Sequence, residues 1–406
     1  MRRTLRRVAV PVALATMALS VTVGMAPLSG AATKHKAPAA VKVGIVTEKT
    51  GIFASYTTEW LQGVQLGLAY ATKGTNKVNG HKIKLTTVDD ADSPTTAATD
   101  FKSFVGAGYK IIGGTVDSGI AAELAPLASQ NKVLYISGPA AADLVTGANR
   151  YTFRSGRQTY QDVQTAKSYI QALGTGKSVL VLGQDFAFGQ SYVTDATQAF
   201  SALGDTVTSQ LVPLTTTDFT PTALQIKAAH PDIIFLAWAG ATGAPLAQAL
   251  DQQGIFASSK VITGLANTAT YQFYGTAGLK FNYLSLYYWQ GPHNAVNSYL
   301  VKNMQKTFGA APDLFTADGF VWGQMVVRAI QKGDGTNVTK MIKGLEGWTF
   351  HAPKGMQTVR ASDHAMLQPM FQVQLVQTVT GAYQPATLAT LTSAQTAPPV
   401  AAHFGG

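Results

Sequence analysis

From residue 41 onward the chain alternates short apolar runs with stretches of helical periodicity, and it goes through that alternation twice. In the first round, strand-like runs lie at 41–47, 83–89, 109–112 and 133–137. Between them, Trp60, Val64, Gly67, Leu68 and Ala71 share one helical face, and so do Ala97, Ala98, Phe101, Phe104 and Val105. Ser93-Pro94 supplies an N-cap and a first-turn proline to the second of these helices. Gly63 and Gly67 predict that the first helix sits close to a sheet. From Tyr151 the pattern restarts. Helix 160–173 leads to strand 178–183, helix 189–203 to strand 206–212, helix 221–229 to strand 233–238, and helix 245–253 to strand 260–263. Strands separated by helices pair in parallel, and open parallel sheets bind ligands beyond the carboxyl ends of their strands. Two such sets predict an α/β protein of two doubly wound, mainly parallel lobes with a cleft between them. A strand-like run at 279–289, helices at 295–308 and 315–332, and strand-like pieces at 349–350, 356–360 and 370–378 complete the folded part. The Ala/Thr/Pro-rich stretch 385–406 reads as a flexible tail.

A chain of 406 residues exceeds what one hydrophobic core serves, which agrees with two lobes. With 46% hydrophobic and 13% charged residues it is a folding sequence and not a disordered one. Its formal charge of +10 is partly local, since Arg2, Arg3, Arg6 and Arg7 precede an apolar stretch at 8–23. Small residues follow at 29–32, so residues 1–32 read as an export signal and 33–40 as a linker. Without those four arginines, 27 basic residues face 21 acidic ones, a balance of +6 with no basic cluster, and nucleic acid is not an expected partner. The absence of cysteine removes disulfides, thiol nucleophiles, thiolate metal sites and the lipid-bearing cysteine of many exported proteins.

The first candidate anchor for a ligand is YKIIGGTVDSGIAAELA at 109–125. An apolar strand breaks at Gly113-Gly114 and a helix opens near Asp117-Ser118. A helix N-terminus carries unpaired N–H groups and the positive end of the macrodipole, and the two glycines would let a ligand approach the backbone. The alternative is that Asp117 or Ser118 caps its own helix. Catalytic motifs are missing. Gly174-Thr175-Gly176-Lys177-Ser178 lacks the upstream glycine of a phosphate loop and precedes its strand, and neither HExxH nor GxSxG occurs. The histidines show no ligand spacing. Asp89, Asp90 and Asp92 cluster at a strand end, where Ser93-Pro94 favours helix-start chemistry over a metal, so neither a metal nor a cofactor is expected.

The ordered set VKVGIVTEKTGIFASY, VDDADSP, IIGGTVDSGIAAELAPLA, YISGPAA and LGQDFAFGQSYVTDA resembles the leucine/isoleucine/valine-binding family of ABC-transporter substrate-binding proteins, over about 41–376. The resemblance implies the type I periplasmic binding protein fold, with three crossings between lobes near 154–157, 289–292 and 354–362. On that basis 41–155 with 291–355 make the N-terminal lobe, and 156–290 with 356–384 the C-terminal lobe. It also implies that Tyr56 covers the ligand, that Ser118 and the backbone of Ala140, Ala141 and Ala142 bind its carboxylate, and that Phe188 closes from the other lobe.

The sequence departs from the family pattern at several of these places. Ala141 stands where the family has a hydroxyl, Ala239 or Gly240 follows Trp238 where the family has a tyrosine, and Ala266 is the best match for the acidic partner of an amino acid's ammonium. A buried ammonium without a carboxylate loses several kcal/mol, so a zwitterionic amino acid is not the easy ligand unless Asp117 substitutes. Tyr56, Phe188, Trp238 and Tyr287 suit a ligand with a polar or carboxylate head and an apolar, aromatic body. The expectation is therefore a monomeric, exported, non-enzymatic receptor of an ABC importer, working with membrane permease and ATPase subunits. The alternatives are a branched-chain amino acid receptor of the same class and an extracellular ligand sensor.

Overall fold

The computed structural model describes residues 38–401. The expected export signal at 1–32, the linker up to 37 and residues 402–406 lie outside the described residues. Strands β1 (Val41–Thr47), β2 (Lys77–Val78), β3 (His81–Asp89), β4 (Ile111–Gly113), β5 (Leu134–Ser137) and β6 (Thr152–Arg154) form one sheet in the order β2-β3-β1-β4-β5-β6. Every pairing in it is parallel except β2 with β3. Helices α1 (Ala54–Ala71), α2 (Pro94–Gly106) and α3 (Ser118–Asn131) connect its strands. The Ser93 hydroxyl accepts from the Thr96 amide and caps α2, with Pro94 in the first turn.

The chain then crosses to a second layered unit. Helix α4 (Thr159–Ala172) precedes β7 (Ser178–Gln184), α5 (Ala187–Ser201), β8 (Thr206–Val212), α6 (Thr220–Ala229), β9 (Ile233–Ala237), α7 (Gly243–Gln252), α8 (Ile255–Ser258), β10 (Lys260–Gly264) and β11 (Asn282–Ser285). It crosses back to add α9 (Ala295–Phe308), α10 (Thr316–Gly333) and α11 (Val338–Leu345) to the first unit, with a small antiparallel sheet of β12 (Thr349–Ala352), β13 (Gly355–Val359) and β14 (Met366–Leu367). The last strands, β15 (Met370–Gln377) and β16 (Tyr383–Leu391), return to the second sheet, whose order is β16-β15-β11-β10-β9-β7-β8. Its pairings from β8 to β11 are parallel, and β15 and β16 are antiparallel additions.

Four details differ from the sequence reading, each for a packing reason. The α1 glycines serve a helix and not a sheet. A Cβ on Gly63 would stand 2.0 Å from the Thr316 carbonyl oxygen and one on Gly67 2.1 Å from that of Phe320, while Gly319 of α10 meets the Trp60 carbonyl equally closely. The two helices therefore touch backbone to backbone. The apolar run 279–289 yields only the short β11, because Leu286 and Tyr287 leave the second sheet and bury in the first lobe's core. The third crossing lies later than 354–362. Val359, Met366 and Met370 pack into the first core and Phe371 into the second, so the chain changes lobe between Met366 and Phe371, at the start of β15. Finally, the stretch from 385 is not a free tail. It continues β16 along the whole of β15, and further on the Pro398 carbonyl accepts from Arg360 at 2.6 Å.

Candidate functional site

The loops at the carboxyl ends of both sheets face one another and enclose a cavity of about 60 Å³. Phe53, Tyr56, Val116, Ser118, Ala141 and Phe315 line it from the first lobe, and Phe186, Phe188, Trp238, Ala239 and Ala266 from the second. Contacts between the lobes ring it. The Gly240 amide donates to the Tyr56 hydroxyl at 3.3 Å, the Ala241 amide to the Ile52 carbonyl at 3.2 Å, and the Asn267 side-chain amide to Glu59 at 2.9 Å. The Thr268 amide donates to Asp313 at 2.9 Å. These bonds hold the lobes closed upon one another.

The anchor at 109–125 is built differently from the sequence expectation. Gly113 and Gly114 make room for protein, not ligand. The Trp322 indole lies where a Gly113 Cβ would be, and Gly114, at φ +110°, sits against the Val46 carbonyl. Asp117 caps α3, its carboxylate accepting from the Gly119 amide and, at 3.0 Å, from the Ile120 amide. It does not line the cavity, and burial raises its pKa. Ser118 does line it, and its Oγ accepts from the amides of Ala141 at 3.0 Å and Ala142 at 3.1 Å. Of the three alanines only Ala141 reaches the cavity. Ala140 and Ala142 are fully buried behind it, their carbonyls accepting from the buried Arg154 guanidinium.

The aromatic side chains divide in the same way. Tyr56 stands edge-on to Phe315, ring centroids 4.9 Å apart. Phe188 packs between Phe186 and Tyr192 at 5.6 and 4.8 Å. The Trp238 indole donates to Thr242 at 3.0 Å and meets Phe219 edge-on, while the Ala239 amide donates to Gln184 at 2.9 Å. Tyr287 is absent from the lining, because its hydroxyl donates to Asn297 at 2.7 Å inside the first core.

Sequence reasoning missed the polar end of the cavity. Arg157, from the first crossing, lines it with Asp162 and Tyr192. Arg157 Nε donates to Asp162 at 3.0 Å, Nη1 donates to the Pro139 carbonyl at 3.1 Å, and the Tyr192 hydroxyl also donates to Asp162. Burial opposes the guanidinium charge, but Asp162, Tyr192 and Asp318 together raise its pKa above the ordinary value, so Arg157 stays cationic. Its position within a predicted crossing between lobes was the available signal. Glu59 and Asn267 were missed as well, although Asn267 directly follows Ala266. Asp89 and Asp92 do not act at the start of α2. Asp89 accepts from the Lys49 and Thr50 amides and Asp92 from the Ile52 amide, so both pin the loop after β1.

Two lobes joined by three crossings around an enclosed cleft define a bilobal ligand-binding protein. The periplasmic binding protein family profile matches residues 40–381, and the chain belongs to that family of solute-binding proteins. It is 24% identical over 265 residues to Leu/Ile/Val-binding protein homolog 3 of Brucella melitensis, a match covering 65% of this chain and 70% of that protein. Among solved structures, an ABC-type branched-chain amino acid transporter protein of Rhodopseudomonas palustris superposes with a TM-score of 0.73 at 33% identity, covering 89% of this chain and 99% of that one. A solute-binding protein of an ABC transporter from another R. palustris strain, in complex with 3,4-dihydroxybenzoic acid, gives 0.78 at 23% identity over 87% and 98% of the two chains. The chain is thus a substrate-binding component of the ABC-transporter class. Among the described residues no helix is long and apolar enough to cross a membrane.

Proposed function

We propose that the cleft captures a small ligand with a carboxylate or other polar head and an apolar, aromatic body. The observation that carries this reading is the composition of the cavity. Aromatic rings line it from both lobes, one guanidinium stands at its polar end, and the one lining carboxylate, Asp162, is already paired with that guanidinium. Asp162 gives Oδ2 to both Arg157 and Tyr192 and has its charge balanced by Arg157, Asp117 caps its own helix, and Ala266 carries no acid. A zwitterion's ammonium would meet only an Asp162 already neutralised by Arg157, whereas a carboxylate can meet Arg157 and Ser118. The 3,4-dihydroxybenzoic acid bound by one structural neighbour has this chemistry.

A branched-chain amino acid is the second reading, favoured by the 33% identity to the R. palustris transporter protein. In either case the protein acts outside the cytoplasm, as a non-enzymatic monomer that delivers its ligand to permease and ATPase subunits.

Calorimetric titration with benzoate, 4-hydroxybenzoate, phenylalanine and leucine separates the two readings, and tight binding of leucine with no response to the benzoates overturns the first. Arg157→Gln should weaken benzoate binding by about 1.5–3 kcal/mol, the range for a hydrogen bond to a charged group. The same variant should weaken binding of benzamide, which carries no charge, by less, about 0.5–1.5 kcal/mol.

A further inference from the structure

Apart from the ligand cavity, three carboxylates converge where β1 and β3 end beneath the start of α3. One oxygen each of Glu48, Asp90 and Asp92 lies within 4.8 Å of the others. Glu48 is fully buried and accepts from the Val116 amide at 3.0 Å, the Asp117 amide at 2.7 Å, and the hydroxyls of Thr47 and Thr115. Asp90 is fully buried too. Its Oδ1 accepts from the Asp92 amide at 3.1 Å, and its Oδ2 meets no donor. Asp92 gives Oδ2 to the Ile52 amide at 2.8 Å and likewise leaves a buried Oδ1 without a donor. Among the described residues, no lysine, arginine or histidine forms an ion pair with any of the three. Buried charge is ordinarily paired or metal-bound, and a buried oxygen without a donor is a loss that folding does not recover.

We propose that Glu48, Asp90 and Asp92 bind a hard divalent cation, with Ca²⁺ preferred. All the ligands are oxygens, which selects Ca²⁺, Mg²⁺ or Mn²⁺ over softer metals. The three oxygens lie no farther than 4.8 Å from one another, close enough to share one ion, and Ca²⁺ accepts a flexible set of protein carboxylates at roughly 2.4 Å, whereas Mg²⁺ demands a near-ideal octahedron and usually keeps several waters. Both orphaned oxygens gain a partner. The ion also ties the ends of β1 and β3 to Val116, which lines the cleft two residues before Ser118. It would therefore stiffen the first-lobe wall of the ligand cavity.

The test uses the protein stripped with EDTA and dialysed. Thermal unfolding in about 5 mM CaCl2 should show a melting temperature several degrees higher than in EDTA, with a smaller rise in MgCl2, since an ion that binds only the folded form stabilises it. Calorimetry with CaCl2 alone should give one site per chain. Asp90→Asn should abolish both responses and, by removing one of three crowded charges, melt higher than the wild type in EDTA. If Asp90→Asn does not fold, Asp92→Asn, at a less enclosed position, must lose the calcium response instead. Equal wild-type melting temperatures in EDTA and CaCl2 overturn the proposal and leave three carboxyls that share protons. A calcium response that survives both substitutions also overturns it, by placing the ion elsewhere.

Discussion

The hinge and the cleft-facing edge of the first lobe both bury acids, but they neutralise them in opposite ways. Around the first crossing, which serves as the hinge, two buried acids each have a basic partner, Asp318 reaching it from the first lobe beside Gly156. Asp162 pairs with Arg157 at 3.0 Å and Asp318 with Lys354 at 2.8 Å, the latter pair with no side-chain exposure. At the first-lobe edge the acids meet only amides and hydroxyls. Glu59 accepts from Asn267 at 2.9 Å and the Phe315 amide at 3.3 Å, Asp313 accepts from the Thr268 amide, and Glu48, Asp90 and Asp92 crowd one another. Matched pairs fix their geometry through direct charge-assisted hydrogen bonds. Unmatched acids respond to protons and ions, and here they lie where the lobes meet or directly behind that surface. The difference implies a hinge of fixed geometry and a closure that is sensitive to conditions.

The largest expected effect comes from unmatching the hinge. Lys354→Met leaves Asp318 buried without its cation and should lower stability by about 3–5 kcal/mol in urea unfolding, the usual result of removing one member of a buried pair. Adding Asp318→Leu should recover much of that, because an apolar pair of similar volume is often neutral. A loss below about 1 kcal/mol for Lys354→Met would show that the hinge acids tolerate being unmatched, and the contrast with the first-lobe edge would fail.

The second effect probes the unmatched side. The Glu59 carboxyl is pushed up to about 8, first by burial and then by Asp313, against the pull of Asn267 and the Phe315 amide. Its folded pKa lies above its unfolded value of 4.5, so the protonated form is the one that folding favours. The stabilisation is fully present below pH 4.5 and is lost as pH rises through about 8. Raising pH across this window should therefore lower the melting temperature, the reverse of acid denaturation. Glu59→Gln keeps the hydrogen-bonding shape without the titration, so its melting temperature should fall less over the same window. Identical pH profiles for variant and wild type would remove Glu59 from the account.

The contrast also explains what could be read from the sequence. Strands and helices of both lobes were legible because each buried strand is a short apolar run and each helix repeats its apolar face, as in 41–47 and 94–105. Tyr56, Ser118, Ala141, Phe188, Trp238, Ala239 and Ala266 were legible as cleft residues because each sits in a loop just beyond a strand's carboxyl end or in the first turns of the helix that follows it. Asp117 stood next to such a position but turned to its own helix. The acid matching was not legible, because it depends on contacts distant in sequence. Lys354 meets Asp318 from 36 residues away, and Glu48 meets the Asp117 amide from 69. The third crossing was misplaced for a related reason. β13 and β15 are both short apolar strands, and only their packing partners show that β13 remains with the first lobe while β15 joins the second.

The smallest expected effect concerns the residue where the sequence reading and the structure overlap most. Ser118 Oγ accepts from the Ala141 and Ala142 amides, so it shapes the loop after β5 as well as lining the cavity. The helix does not depend on it, because Asp117 already caps α3. Ser118→Ala should therefore keep its helix and its fold, while the two amides lose their acceptor. If Ser118 and those amides together hold a ligand's polar head, affinity for the best-binding carboxylate should fall by about 0.5–1.5 kcal/mol, the net value of one hydrogen bond. A role confined to the loop gives a different result, with a lower melting temperature and unchanged affinity. Measuring both quantities on the same preparation distinguishes the two, and unchanged affinity would move the ligand's head away from Ser118 toward Arg157.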